Sequence, residues 1–388
     1  MKRPSHRRVH HRRDRGQIIV VAALTMVALI GGVSLILEGG NAYAHQRVVQ
    51  NAADSTANAG AMVLGQRLGG GNQTDIDVFN AIDTMADANN LDTYVGYYTD
   101  VKGNLLTPLG LTTTVFGNAE QVGSGDGDTT IPPGAQGVRV GGSQSFGTTF
   151  ARVLGINQFT ASADATAVTG GLTGGIVLPV VFPVSMADCD GSGNTVVTDE
   201  PWRMSDPDPN DPTAHPIGQE YIVPLCKSGG GSFMILNLDP DKDCEEEVTN
   251  PTPVQFDDFP VDVDTDTGND CAKKIEDAVA AADLHGTPVM IPICDGQCTT
   301  TNGTNATYHV IRMTSFYLDY ISYSNNSNNG QCSLTESPNY PGSTLVNIVG
   351  GNGSSSCIAG WFVRYVTSGP VGTGNITNGE AIGVQLIR

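Results

Sequence analysis

The chain reads as an α+β protein hung from a single N-terminal transmembrane helix. Three observations predict this. An uncharged apolar run at 18–37 follows a basic tail, an Ala-rich and proline-free stretch carries helical periodicity onward, and short alternating strands broken by Gly, Pro, Asn and Asp fill most of the remainder. The divisions that follow are 1–17 for the tail, 18–37 for the span, 38–170 for a stalk helix with an antiparallel β module, and 171–388 for a β-rich domain holding all eight cysteines.

Charge sets the tail apart. Lys2, Arg3, Arg7, Arg8, Arg12, Arg13 and Arg15 stand against one acidic residue, while 39 of the 40 acidic residues lie beyond position 17. Such a block beside an apolar run suits the anionic cytoplasmic face of a membrane. Nucleic-acid binding fits less well, because the acidic remainder repels phosphate and no aromatics interleave with the basic residues. Ile18 to Leu37 makes 20 residues without a charge, and a helical rise of about 1.5 Å per residue carries them across roughly 30 Å of hydrocarbon. The basic flank predicts a single-pass topology with the N-terminus cytoplasmic and the C-terminus extracytoplasmic. A cleaved signal peptide is the competing reading, since Ala42-Tyr43-Ala44 has the small-x-small form of a peptidase site. Its apolar core is longer than the roughly 7–15 residues usual for secretion signals.

Beyond Gly39-Gly40, a place for a kink, helical spacing continues. Val48, Val49, Ala52, Thr56, Ala59, Met62 and Val63 form a narrow stripe of mostly small residues. An unbroken helix from Ile18 to Leu68 would be about 75 Å long, half of it outside lipid. A second helix is predicted over 74–90, with Thr74 placed to cap it and Ile76, Phe79, Ile82, Met85 and Ala86 at helical steps. Val138 and Val140 alternate as a half-buried strand does, Thr148 to Leu154 suits a short helix stopped by Gly155, and Phe159 to Val168 alternates again. The run Gly170–Gly175 reads as a linker.

One arrangement is specific. Arg15-Gly16-Gln17 precedes the span, Glu38-Gly39 follows it, and Gln50-Asn51-Ala52-Ala53-Asp54-Ser55-Thr56-Ala57-Asn58-Ala59-Gly60-Ala61 comes next. Together these resemble the N-terminal segment of the Flp (Tad) pilus-assembly TadE/G-like proteins, whose pattern runs R-G-x, span, D-x-G, then Q-N-A-A-D and an Ala-rich end. Glu38 stands in place of the usual Asp, and Ser55, Thr56 and Asn58 depart from the Ala- and Leu-rich end. The resemblance implies a pilin-like anchor and α/β module, pilus-assembly or pilin-like proteins as partners, and a structural rather than enzymatic role at the cell surface, adhesion included. Pilin-type cleavage after Gly16 would call for Glu five residues on, where Val21 stands, so the anchor is expected to stay uncleaved, as in TadG-like members.

From Ile176 onward, apolar runs at 176–184, 221–225, 233–238, 288–293, 308–323, 361–366 and 381–387 read as strands of a β-rich domain, a sandwich among the options, with one helix over 270–282. Gly231-Ser-Phe and the run from Tyr308 to Tyr323 carry a fainter family likeness. Cys189, Cys226, Cys244, Cys271, Cys294, Cys298, Cys332 and Cys357 are even in number and lack paired zinc-knuckle spacing. Disulfides in an oxidising compartment are the expectation, Cys294 with Cys298 as one local pair, and buried free thiols are the alternative.

Acidic runs are the one chemical feature above background. Asp188 and Asp190 form one, Asp239, Asp241 and Asp243 a second, and Asp262, Asp264 and Asp266 a third. Ca²⁺ is the cofactor such carboxylates suit, yet no run has Gly at its sixth and Glu at its twelfth position, and solvated loops are the plainer reading. No catalytic motif is present, and His45, His215, His285 and His309 are scattered. No catalytic residue or further cofactor is therefore assigned. The N-x-S/T tripeptides at Asn302, Asn305, Asn325, Asn352 and Asn375 read as polar loops, since the family is bacterial. The functional alternative to a pilus component is an anchored extracytoplasmic enzyme or carbohydrate-binding module with the same N-terminus.

Overall fold

The computed structural model describes residues 14–107, 119–123, 130–186, 196–197, 219–226, 234–256, 259–266, 269–295, 298, 307–323, 330–348, 356–363, 366–374, 376 and 380–387. The tail up to residue 13, Cys189, Asp188, Asp190, His215, the Gly231-Ser-Phe motif and all five N-x-S/T asparagines lie outside the described residues. In chain order the main elements are α1 (Asp14–Leu68), α2 (Asp75–Ala88), β1 (Thr93–Thr99), β2 (Gly137–Gly147), a 3-10 turn (Ala151–Leu154), β3 (Gln158–Gly171), β4 (Phe182–Pro183), β5 (Gln219–Pro224), α3 (Cys244–Thr249), β6 (Val261–Asp264), α4 (Asn269–Ala281), β7 (Thr287–Cys294), β8 (Thr307–Ser322), β9 (Thr344–Asn347), β10 (Cys357–Val363), β11 (Val366–Ser368) and β12 (Ile382–Ile387).

α1 runs without a break through both glycine pairs, and its two halves meet different surroundings. From Ile18 to Leu37 the large apolar side chains are 54–75% exposed. The two hydroxyls there bond back to the helix, Thr25 Oγ1 to the Val21 carbonyl and Ser34 Oγ to that of Ile30, so neither asks for water. This helix is long and apolar enough to cross a membrane. Past Glu38 one face closes over: Val49, Ala52, Ala53, Thr56, Ala57, Ala61 and Leu64 are buried.

That buried face corrects the expected stripe. Val49, Ala52 and Thr56 belong to it, but Val48 and Met62 point outward, and Ala53, Ala57, Gly60 and Ala61 take the centre. Close approach of helix to sheet is the reason. At Gly65 an added Cβ would meet Thr169 Oγ1 at 2.8 Å and Ile382 Cγ2 at 3.0 Å. The smallest residues therefore face the strands, and larger apolar ones are left to the flanks.

The sheet beneath α1 has five strands in the order β1-β2-β3-β12-β11, antiparallel except for the last pair. β2 and β3 match the alternation expected of them. The Gly170–Gly175 run begins as strand instead of linker: Gly170 pairs with Gly383 and Gly171 with Ile382. Its glycines answer crowding, since a Cβ on Gly170 would sit 2.8 Å from the Gly372 carbonyl oxygen. The run 381–387, expected within the second half's own sheet, instead closes the first one.

The second sheet has seven strands, ordered β9-β5-β10-β8-β7-β4, with β6 paired to β8. It is mixed, β4 and β9 lying parallel to their neighbours, and it stands where a sandwich was one expectation. The covering layer is helical: Ile275 and Val279 of α4 share a core with Phe182, Phe316 and Phe362, whose rings meet edge-on at 5.0–5.9 Å. On the opposite face Tyr317 stacks on Trp361 at 4.4 Å, and Tyr340 meets Trp361 edge-on. The runs 176–184 and 233–238 contribute β4 and single bridges such as Val180 with Ile235, not long strands.

Cys244 and Cys271 join α3 to α4, Cys294 pairs with Cys298 as expected, and Cys332 pairs with Cys357, with Cα separations of 5.5, 5.3 and 5.7 Å. Cys226 is disulfide-bonded as well.

Overpacking tests the helix-to-sheet contact. Ala57→Leu, at a fully buried position, should destabilise the module by about 1–3 kcal/mol, whereas Met62→Leu on the exposed side should change little. Denaturant unfolding of the detergent-solubilised protein separates the two.

Candidate functional site at the membrane end of the stalk

Glu38 is the first charged residue after the apolar span, and it is buried. Its Oε1 accepts backbone N–H bonds from Thr149, Phe150 and Ala151 at 2.7, 2.6 and 3.1 Å. These donors open the 3-10 turn at the tip of the β2–β3 connection, where N–H groups otherwise go unpaired. The Ala151 N–H does most to hold the carboxyl below its ordinary range; burial opposes this, and the Phe150 and Thr149 donors reinforce it. The turn ends at Gly155 in the left-handed conformation, as the sequence led one to expect.

The rest of the motif continues up the helix as a series of rungs on the sheet. His45 stacks on Phe146 at 4.0 Å, and Gln46 donates to the Ser162 carbonyl. Gln50 reaches both Asp54 Oδ1 at 3.0 Å and the Asp164 carbonyl at 3.2 Å, while Ala52 and Ala53 are buried against the module and Asn51 is exposed. Higher still, Ser55 accepts from Asn89 at the end of α2. A polar groove of about 590 Å³ lies beside these rungs between Arg47, Gln50 and Asp54 of α1 and Arg139 and Asp164 of the sheet. Arg139 and Asp164 pair with each other on its sheet side at 2.6 Å. Arg15 and Gly16 lie in the first turn of α1, and Gly39 has open space around it.

The six acidic candidates do not converge. Asp239 accepts from Thr252 Oγ1 and the Asp241 N–H, and Asp243 caps α3 through the Glu245 and Glu246 N–H groups while pairing with Lys274 at 3.0 Å. α3 itself, inside a run read as loop, is a short helix that this cap announces. Asp262 and Asp264 stand on the exposed side of β6, with Asp262 against His309. Asp266 lies near the Cys244–Cys271 pair. Among the described residues these three are the one set whose potential ligand atoms fall within 4.8 Å of each other, and their two sulfurs are bonded to one another.

A second cluster had no signal in the sequence. Glu220 of β5 and Asp319 of β8 are both fully buried and face each other, with Ser337 beside them. Asp319 also accepts from Ser337 Oγ and Asn339 Nδ2, each at 2.7 Å, and its carbonyl meets His285. Two buried carboxyl groups that face one another favour a proton on one of them. Burial and then the Asp319 contact push the Glu220 carboxyl up to about 8, against the pull of the serines.

Among the described residues one helix is long and apolar enough to cross a membrane, and its second half is the spine of the five-stranded module. The family model described as "Putative Flp pilus-assembly TadE/G-like" matches residues 16–63, which makes the N-terminal segment TadE/G-like and covers the span, Glu38 and the rungs up to Val63. Comparison with curated proteins and with solved structures gave no match.

Two outcomes follow from the carboxyl groups. Glu38→Gln should speed amide exchange at Thr149, Phe150 and Ala151 relative to the rest of β2 and β3, and an unchanged pattern would argue against the clasp. For Glu220, the folded state keeps a proton that the unfolded chain gives up above its ordinary value of 4.5. The stability it contributes is complete below that pH and falls as pH rises toward about 8, with a slope of up to about 1.4 kcal/mol per pH unit for one proton. Glu220→Gln should flatten the slope in pH-dependent melting.

Proposed function

We propose that the protein is a membrane-anchored structural or assembly component of a Tad/Flp-type pilus or a related surface apparatus, acting through protein–protein contacts. The observation that carries this reading is the coincidence of the family match at 16–63 with the one helix that is bare along its first half and buried along its second. The basic tail argues for a cytoplasmic N-terminus and an extracytoplasmic ectodomain, the compartment in which disulfides persist. Val21, in place of Glu at the fifth position after Gly16, supports an anchor that is kept.

Contacts with pilus proteins do not use the small-residue stripe of the stalk, because the module's own sheet already covers it. Partners meet either the bare span, where Gly31 and Gly32 leave open space, or the outer faces of the ectodomain.

Crosslinking intact membranes and purifying the protein with its neighbours tests the proposal directly. Recovery of pilins or of other parts of a pilus machine is the expected result, and consistent recovery of none would sink it. Intact-mass measurement of the extracted protein should give the full chain; a start at Gln17 or His45 would mean that the anchor is processed.

A further inference from the structure

The clasp at Glu38 has a consequence for the membrane surface. Glu38 directly follows Leu37, the last residue of the 20-residue apolar span. If that span crosses the hydrocarbon, Glu38 sits at its edge, where a headgroup layer of roughly 5–7 Å begins. Because Glu38 holds the N–H groups of Thr149, Phe150 and Ala151 within 3.1 Å, the turn lies at the same depth. It is fixed there by the helix that enters the lipid.

The composition of the turn suits that depth. Ile156 is a large apolar residue left 43% exposed. Phe150 is half-buried, and Arg152 is exposed. Between Gly147 and Gln158 Arg152 is the one charged residue, in a chain whose residues beyond the tail are strongly acidic. On the helix itself Tyr43 is 65% exposed with Arg47 over its ring at 5.7 Å, about 7.5 Å along the axis from Glu38. An apolar residue, an aromatic and a lone cation together match the interface between acyl chains and phosphate headgroups, where Trp, Tyr and Arg collect.

We propose that the β2–β3 tip, residues 150–156, is a membrane-seated foot that rests on the phospholipid interface and fixes the ectodomain's height and tilt on its anchor. The proposal rests on the reading of 18–37 as a membrane span.

The test uses the full chain reconstituted in vesicles of phosphatidylcholine and phosphatidylglycerol carrying bromines either near the headgroup or deep in the acyl chains. Three single variants report position by tryptophan quenching, each corrected for the unsubstituted protein: Ile156→Trp, the conservative Phe150→Trp, and Leu29→Trp within the span. The expected result is loss of Ile156→Trp and Phe150→Trp emission with shallow bromines, and loss of Leu29→Trp emission with deep ones. Deep quenching at Leu29→Trp with neither turn variant quenched would overturn the foot and leave the anchor standing. No quenching at Leu29→Trp would overturn the anchor, and the foot with it.

Discussion

Where α1 leaves its bare apolar segment, a buried carboxylate takes up three backbone N–H groups from a turn far away in sequence, and the arrangement of the rest depends on that junction. Below Glu38 the helix is apolar all round, which is stable where the surroundings are apolar too. Above it the helix is apolar on one narrow face, which calls for a protein partner. A continuous rod with such a change needs its partner to begin at a defined height. Glu38 supplies the height, because the turn whose orphan donors it satisfies is the end of the β2–β3 hairpin. Once that end is fixed, His45, Gln46, Gln50 and Ser55 follow in register.

Small residues make the rod and the sheet one body. Ala53, Ala57, Gly60, Ala61 and Gly65 bring the helix close enough for Thr169 and Ile382 to touch it, and Ile382 comes from the far end of the chain. β12 pairs with β3 and β11 with β12, so the sheet under the stalk is closed by residues that follow the whole seven-stranded sheet in sequence. The described residues from Leu172 to Val363 thus fall in sequence between β3 and β11, two strands of the stalk sheet. The two sheets also meet through the Thr314–Glu380 bridge.

Much of this was legible because it is local. An uncharged 20-residue run, a capping Thr, alternation in β2 and β3, and a Gly at the end of a short turn each act within a few residues, and periodicity reports them. On α1 the expected stripe shares Val49, Ala52 and Thr56 with the buried face and differs elsewhere, because hydrophobicity points to Val48 and Met62 while close packing selects alanine and glycine. The Gly170–Gly175 run looked like a linker for a related reason: glycine signals flexibility and crowding equally, and only the strand beside it decides. The Glu220–Asp319 cluster draws on residues spread from position 220 to 343, with ordinary polar residues at each place, so no spacing could have announced it. Likewise the partner of Glu38 lies more than a hundred residues away.

Glu38 and Glu220 show how far the same side chain depends on what surrounds it. Both are buried carboxyl groups. One faces backbone donors, which favour the anion; the other faces a second carboxyl, which favours the acid. Their contributions to stability therefore run in opposite senses: the first is lost as pH falls through a depressed value, the second as pH rises toward about 8. Between those limits Glu38 is charged and clasped while Glu220 keeps its proton. Outside them each is lost for its own reason, acid by neutralising the acceptor of the Thr149, Phe150 and Ala151 N–H groups, alkali by removing the proton that Glu220 holds toward Asp319.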